Sequence, residues 1–167
     1  MLQPEIMPIL ARTEIFEGLS PYQYELVSFI CEPQTFRRSE ILLRENEHSD
    51  DLYIIGRGGV NVLMDASVVS GPQAVPSAEP VLLIELRAGQ LFGEIALVDQ
   101  GVRSATIQVS RDDTLVLKIK RERLMLLCDT YPEMGYKIMR NLAADLAVKI
   151  RNTGFTFRQY QLLLSRK

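Results

Sequence analysis

The sequence has no tryptophan, a single histidine and only two cysteines in 167 residues. One histidine cannot build a histidine-rich metal site, and Cys31 and Cys128 sit among apolar residues without metal-ligand spacing. They read as buried free thiols in a reducing compartment rather than as a disulfide framework. Charge of one sign is also missing: 19 Lys and Arg stand against 21 Asp and Glu, a formal net charge of -2. No overall field therefore draws the chain to nucleic acid or to an anionic membrane. No uncharged apolar run approaches the ~20 residues of a membrane span, and the first eight residues carry no basic residue ahead of a hydrophobic run, unlike a signal peptide. A cytoplasmic location is the expectation. No nucleophile has a partnering histidine, and no glycine loop carries the lysine of a nucleoside triphosphatase. No catalytic residue, no metal and no cofactor is therefore expected.

What is present is ordinary globular material, 47% hydrophobic and 24% charged, enough for a core in one domain over 1–167. Residues 1–31 read as helices. Ser20 is an N-cap with Pro21 at the first helical position, and Tyr24, Leu26, Val27 and Ile30 supply apolar contacts. From 32 to 120 the pattern changes to short strands. Gly56-Arg57-Gly58-Gly59 reads as a tight hairpin turn joining two partner strands, and 66–80, rich in Ser, Gly, Pro and Ala, as a mobile loop. Residues 121–152 return to helical period, with a break at Pro132. Met139, Leu142, Leu146 and Ile150 form a stripe that packs either on the chain's own barrel or on a second copy. An apolar tail, 153–167, needs a cover. The fold class expected from this pattern is mainly β with flanking α: an antiparallel sandwich or barrel, N-terminal helices, a short helix near 94, and two C-terminal helices.

The most informative stretch is 89–109. Leu91 and Phe92 precede Gly93, where backbone must approach something closely; Glu94, Ile95, Ala96 and Leu97 then give about one helical turn. Free N–H groups at a helix start suit an anion. Arg103, returning at the head of the strand that includes Thr106, Ile107, Gln108 and Val109, can face that seat with its planar fork. An acid beside a phosphate makes sense if Glu94 accepts from a ribose hydroxyl. Together these residues read as a nucleotide site.

Phe92-Gly93-Glu94-Ile95-Ala96-Leu97 followed by Arg103-Ser104-Ala105-Thr106 resembles the phosphate-binding cassette of the cyclic nucleotide-binding domain family, and the resemblance runs from about Phe16 to Ile150. It implies that the β region is an antiparallel β-roll or jelly-roll barrel. It also implies a non-enzymatic sensor for a cyclic purine nucleotide, cAMP favoured over cGMP because Ser104 stands where threonine accompanies cGMP preference. The implied ligand contacts are Phe92, Gly93, Glu94, Ile95, Ala96, Arg103, Ser104 and Ala105. It further places the helix after Pro132 as a lid, with Lys149 and Ile150 near the base, although Lys149 taken alone reads as a solvated helix lysine. Expected partners are the nucleotide, a protein effector reached through the C-terminal helices, and a second copy through 132–152. Two other readings stay open: an interaction module whose pocket binds nothing, and a truncated cyclic-nucleotide-dependent transcription regulator.

Overall fold

The computed structural model describes residues 3–65, 79–99 and 101–164, with side chains from Glu5 to Asn152. Helix α1 (Gln3–Leu10) and a 3-10 turn (Glu14–Phe16) lead to α2 (Pro21–Phe29). Ser20 caps α2 as its sequence suggests: its Oγ accepts from the Gln23 amide, and the Gln23 side chain accepts from the Ser20 amide. Then come β1 (Cys31–Phe36), β2 (Ile41–Leu43), β3 (Leu52–Arg57), β4 (Gly59–Met64), β5 (Val81–Arg87) and β6 (Leu91–Phe92). The short helix α3 (Glu94–Asp99), β7 (Thr106–Val109), β8 (Thr114–Ile119), α4 (Arg121–Thr130) and α5 (Pro132–Leu164) complete the order.

The strands form two four-stranded antiparallel sheets, ordered β1-β8-β3-β6 and β2-β7-β4-β5. This is the antiparallel roll with flanking helices that the sequence implies. Side-chain alternation along β3 shows how it is filled. Tyr53 and Ile55 point into the roll with Val60, Leu86, Phe92, Ile107 and Val116, whereas Leu52 and Ile54 point the other way, into a second core with Leu97, Leu117, Ile119, Leu124, Ile138 and Leu142. The central strands are thus covered on both faces, which explains their nearly unbroken apolar runs.

One expectation is overturned. Gly56 to Gly59 is not a hairpin, because β3 pairs with β8 and β6 while β4 pairs with β5 and β7. The chain here crosses from one sheet to the other. Gly58 takes φ 84°, and a Cβ there would lie 2.3 Å from the Thr114 hydroxyl, so the glycine serves a corner pressed against β8 rather than a reversal. A second difference lies at the C-terminus. Helix α5 does not stop near Asn152 but runs to Leu164; the side chains of the expected apolar tail fall outside the described residues, as does the expected loop as far as residue 78. Of the stripe on α5, Met139, Leu142 and Leu146 pack on the chain's own core and Ile150 stands 72% exposed. Near its start α5 is tied down by Asn141, whose amide donates to the carbonyls of Ile15 (3.3 Å) and Glu17 (2.9 Å).

Candidate functional site

Backbone geometry sets the cassette first. Gly89 (φ 90°) turns the chain into β6, and the Gly89 amide donates to the Ile55 carbonyl at 2.8 Å. β6 then lies along β3, so Phe92 stacks on Tyr53 with centroids 5.1 Å apart and planes 3° from parallel. Gly93 follows at φ 83°, a region where any side chain is strained, and α3 starts at once with the buried Glu94. On the return, the Arg103 amide donates to the Glu47 carbonyl (2.9 Å), and the Arg103 carbonyl accepts from the Asn46 amide (2.8 Å). His48 bridges Val102 beside them. A polar loop with no periodicity of its own therefore fixes where Arg103 emerges.

The Arg103 side chain is 4% exposed. Its Nε donates to Ser49 Oγ at 2.7 Å, Nη1 to the Gly93 carbonyl at 3.0 Å, and Nη2 to the Asp51 carbonyl at 2.8 Å. The guanidinium carbon lies 5.9 Å from the Tyr53 ring centre. All three acceptors are neutral, and among the described residues no carboxylate lies within ion-pair distance. Burial pulls its pKa below the usual arginine value; Tyr53, Asp51, Asp50 and Glu94 oppose that pull, and a guanidinium stays charged regardless. The group has five N–H donors, three of them spent on these acceptors. One N–H on each Nη is left for something else.

That something has room. A cavity of about 440 Å³ is bounded by the whole cassette (Phe92, Gly93, Glu94, Ile95, Ala96, Arg103, Ser104 and Ala105) and by apolar residues of the roll. This volume lies in the range of small-molecule sites. A bulge helps shape the mouth: Ile84 pairs with Val62 and Leu82 with Leu63, which leaves Leu83 without a partner, and both Leu83 and Ile84 line the cavity. From across the mouth α5 contributes Lys149 and Asn152. Lys149 Nζ reaches Glu94 Oε1 at 2.8 Å and Asp145 Oδ2 at 3.0 Å. Burial alone would lower the Lys149 pKa, but the charge and hydrogen bond of Glu94, with those of Asp145, outweigh it and raise the value.

Lys149 is thus at the cavity, paired and with its side chain 39% exposed, whereas Ile150, expected with it, is 72% exposed and lines no part of the cavity. The helix turns by about 100° per residue, so the next position points elsewhere. Three residues were not singled out from sequence: Ser49 and Asp51, which lie in a loop with no motif, and Asn152. Only Asn152 carried a signal, its i+3 spacing from Lys149. The cassette is also tied to the helix that follows the roll. Arg121 Nε, at the first residue of α4, donates to the Leu97 carbonyl at 2.9 Å, and Leu97 is buried with Leu124, Ile138 and Leu142.

Comparison with known proteins decides the family. The model of the cyclic nucleotide-binding domain matches residues 33–131. The chain belongs to the cyclic nucleotide-binding domain family. It is similar to a CRP-like cAMP-activated global transcriptional regulator of Mycobacterium tuberculosis, 28% identical over 138 residues, which cover 83% of this chain and 57% of that protein. It is also similar to cyclic GMP-binding protein C of Dictyostelium discoideum, 27% identical over 133 residues, 78% of this chain and 5% of that one. Among solved structures, the catabolite activator protein of Thermus thermophilus superposes with a TM-score of 0.72 at 25% identity, covering 89% of this chain and 63% of that one. The chain therefore spans little more than half the length of the bacterial regulator it matches.

Proposed function

We propose that the cavity binds one cyclic purine nucleotide reversibly and that the chain acts as a sensor, not as an enzyme. The observation that carries this is Arg103: a buried cation with two uncommitted N–H groups, facing a cavity and quenched by no carboxylate among the described residues. A buried charge of this kind is costly unless it meets a partner, and a phosphodiester is a single negative charge of the right shape. The exocyclic oxygens accept from the two free Nη protons and from Ser104, with the Ala105 backbone beside them. The ribose 2′-hydroxyl donates to Glu94, and the backbone of Gly93, Ile95 and Ala96 closes around the sugar. The base lies along the apolar wall of Val62, Leu83 and Ile84, beneath Lys149 and Asn152 of α5.

Such an arrangement holds a diester and does not break it, since none of the cavity's described residues forms a nucleophile–base pair. Output follows from two linkages. Glu94 is held to α5 through Lys149, and Leu97 is held to α4 through Arg121. A ligand that takes the Glu94 carboxylate or shifts α3 changes what α4 and α5 rest on, and its differential affinity for the two helix positions is what makes a switch. Among the described residues no helix is long and apolar enough to cross a membrane. The effector is a protein docked on these helices. The relative's coverage favours a second reading, in which the domain is the sensing part of a DNA-binding regulator.

cAMP is the favoured ligand, with Ser104 in place of threonine; the relatives' names include both nucleotides. Thermal unfolding in the presence of cAMP, cGMP and AMP tests this. A ligand at 100 times its Kd stabilises by about 2.7 kcal/mol, so cAMP is expected to raise Tm clearly, cGMP less and AMP not at all. No shift with either cyclic nucleotide at millimolar concentration would favour an interaction module with an unused pocket.

A further inference from the structure

We infer that Ser49 is a positioning residue for the phosphate-binding arginine: its hydroxyl takes the Nε–H of Arg103 and so leaves only the terminal edge of the guanidinium for the ligand. The inference rests on the nucleotide reading above and deepens it. A guanidinium can grip an oxyanion in two ways, side-on through Nε and one Nη, or end-on through both Nη atoms. The 2.7 Å contact of Nε with Ser49 Oγ occupies the side-on edge. The carbonyls of Asp51 and Gly93 then take one proton from each Nη, leaving one N–H on each of these two terminal nitrogens for the ligand. Ser49 is itself held in place by its neighbours. The 46–48 segment is zipped to 102–103 by backbone bonds, and Asp51 Oδ2 is paired to Lys118 Nζ at 2.7 Å. Because the three acceptors are neutral, they aim the cation without neutralising it.

The test uses the whole chain and three readouts. The first needs no ligand. In an NMR spectrum of the unliganded protein the Arg103 Nε–H is expected to exchange slowly with water, and Ser49→Ala is expected to expose it. The second is cAMP affinity, expected to fall about tenfold in Ser49→Ala, the lower end for a hydrogen bond to a charged group. Ser49→Thr, which restores the hydroxyl, is expected to recover to within about threefold. The third is the affinity ratio between the Rp and Sp phosphorothioate analogues of cAMP, which reports how the guanidinium meets the two exocyclic atoms. Ser49→Ala is expected to shift that ratio, whereas a residue that merely supports the fold would weaken both analogues in proportion. Should Ser49→Ala fail to fold, Ser49→Cys, with a poor acceptor of similar volume, carries the same expectations. An unchanged Nε–H exchange rate, or an unchanged Rp/Sp ratio in a variant that binds, overturns the inference. Wild-type protein that binds neither cyclic nucleotide overturns the functional reading instead, and the exchange readout still decides whether Ser49 holds the arginine.

Discussion

Replacing Gly93 with alanine tests whether the cassette backbone and Arg103 form one device. Gly93 sits at φ 83°, and a Cβ there would lie 2.6 Å from Arg103 Nη1 and 2.8 Å from the Asp51 carbonyl oxygen. Left-handed backbone costs an L-residue about 1–2 kcal/mol. The Asp51 carbonyl belongs to the strand entry and cannot yield, so the guanidinium must, and its 3.0 Å bond to the Gly93 carbonyl goes with it. A hydrogen bond to a charged group contributes about 1.5–3 kcal/mol. The expected loss of stability is therefore about 2.5–5 kcal/mol, with cyclic nucleotide affinity down at least about tenfold because the arginine has lost its aim. Gly89→Ala is the control. Gly89 has nearly the same backbone strain, φ 90°, but a Cβ there would meet nothing nearer than the Arg12 carbonyl at 3.5 Å. It is expected to lose only the conformational term, about 1–2 kcal/mol, and to keep its affinity within about threefold. Urea unfolding and calorimetric titration of the two variants separate the terms. Equal losses of affinity, or full affinity in Gly93→Ala, would refute the claim that this glycine exists to admit the guanidinium.

Three further outcomes follow. Lys149 has a raised pKa from Glu94 and Asp145, so its contribution is present below the unfolded lysine value of about 10.4 and is lost as pH rises through the folded one. The Tm difference between wild type and Lys149→Ala is thus expected to be constant from pH 6 to 9 and to shrink above about pH 10.4; a difference that grows there would contradict the ion pair. Ile150→Ser, at a position 72% exposed and outside the cavity, is expected to change stability by no more than about 0.5 kcal/mol and to leave binding unaltered; a tenfold loss of affinity would return Ile150 to the lid. Burial pushes the Cys31 thiol up to about 12 and Cys128 to about 11, so Ellman's reagent at pH 8 is expected to label both slowly in the native protein and rapidly in urea. Rapid native labelling would contradict their burial.

Much of this site was legible in the sequence because its parts are close along the chain. Gly93, Glu94 and Arg103 lie on one short excursion from the roll, and glycine, acid and arginine each have a narrow range of uses. Ser20 and Pro21 announced their helix for the same reason, since a cap is local chemistry. Failures occurred where the information is tertiary. The glycines from 56 to 59 look like a reversal, and only the pairing of β3 with β8 shows that they turn a corner between sheets. The hydroxyl of Ser49 meets Arg103 from 54 positions away, through a loop with no pattern to read. Met139, Leu142 and Leu146 advertised an apolar face without saying what covers it, and the answer is the chain's own helices and sheet. Lys149 reads as solvated until the fold brings Glu94 to it from 55 positions away.

The central claim is that Arg103 waits, charged and buried, for a cyclic phosphodiester. Isothermal titration of wild type and Arg103→Ala with cAMP, after confirming by circular dichroism that the variant is folded, addresses it most directly. Truncating one partner of a buried charge pair costs about 2–5 kcal/mol, roughly thirtyfold to several-thousandfold in affinity. The wild type is expected to saturate, and Arg103→Ala to show no measurable binding at micromolar ligand. A folded variant that titrates like the wild type would contradict the account.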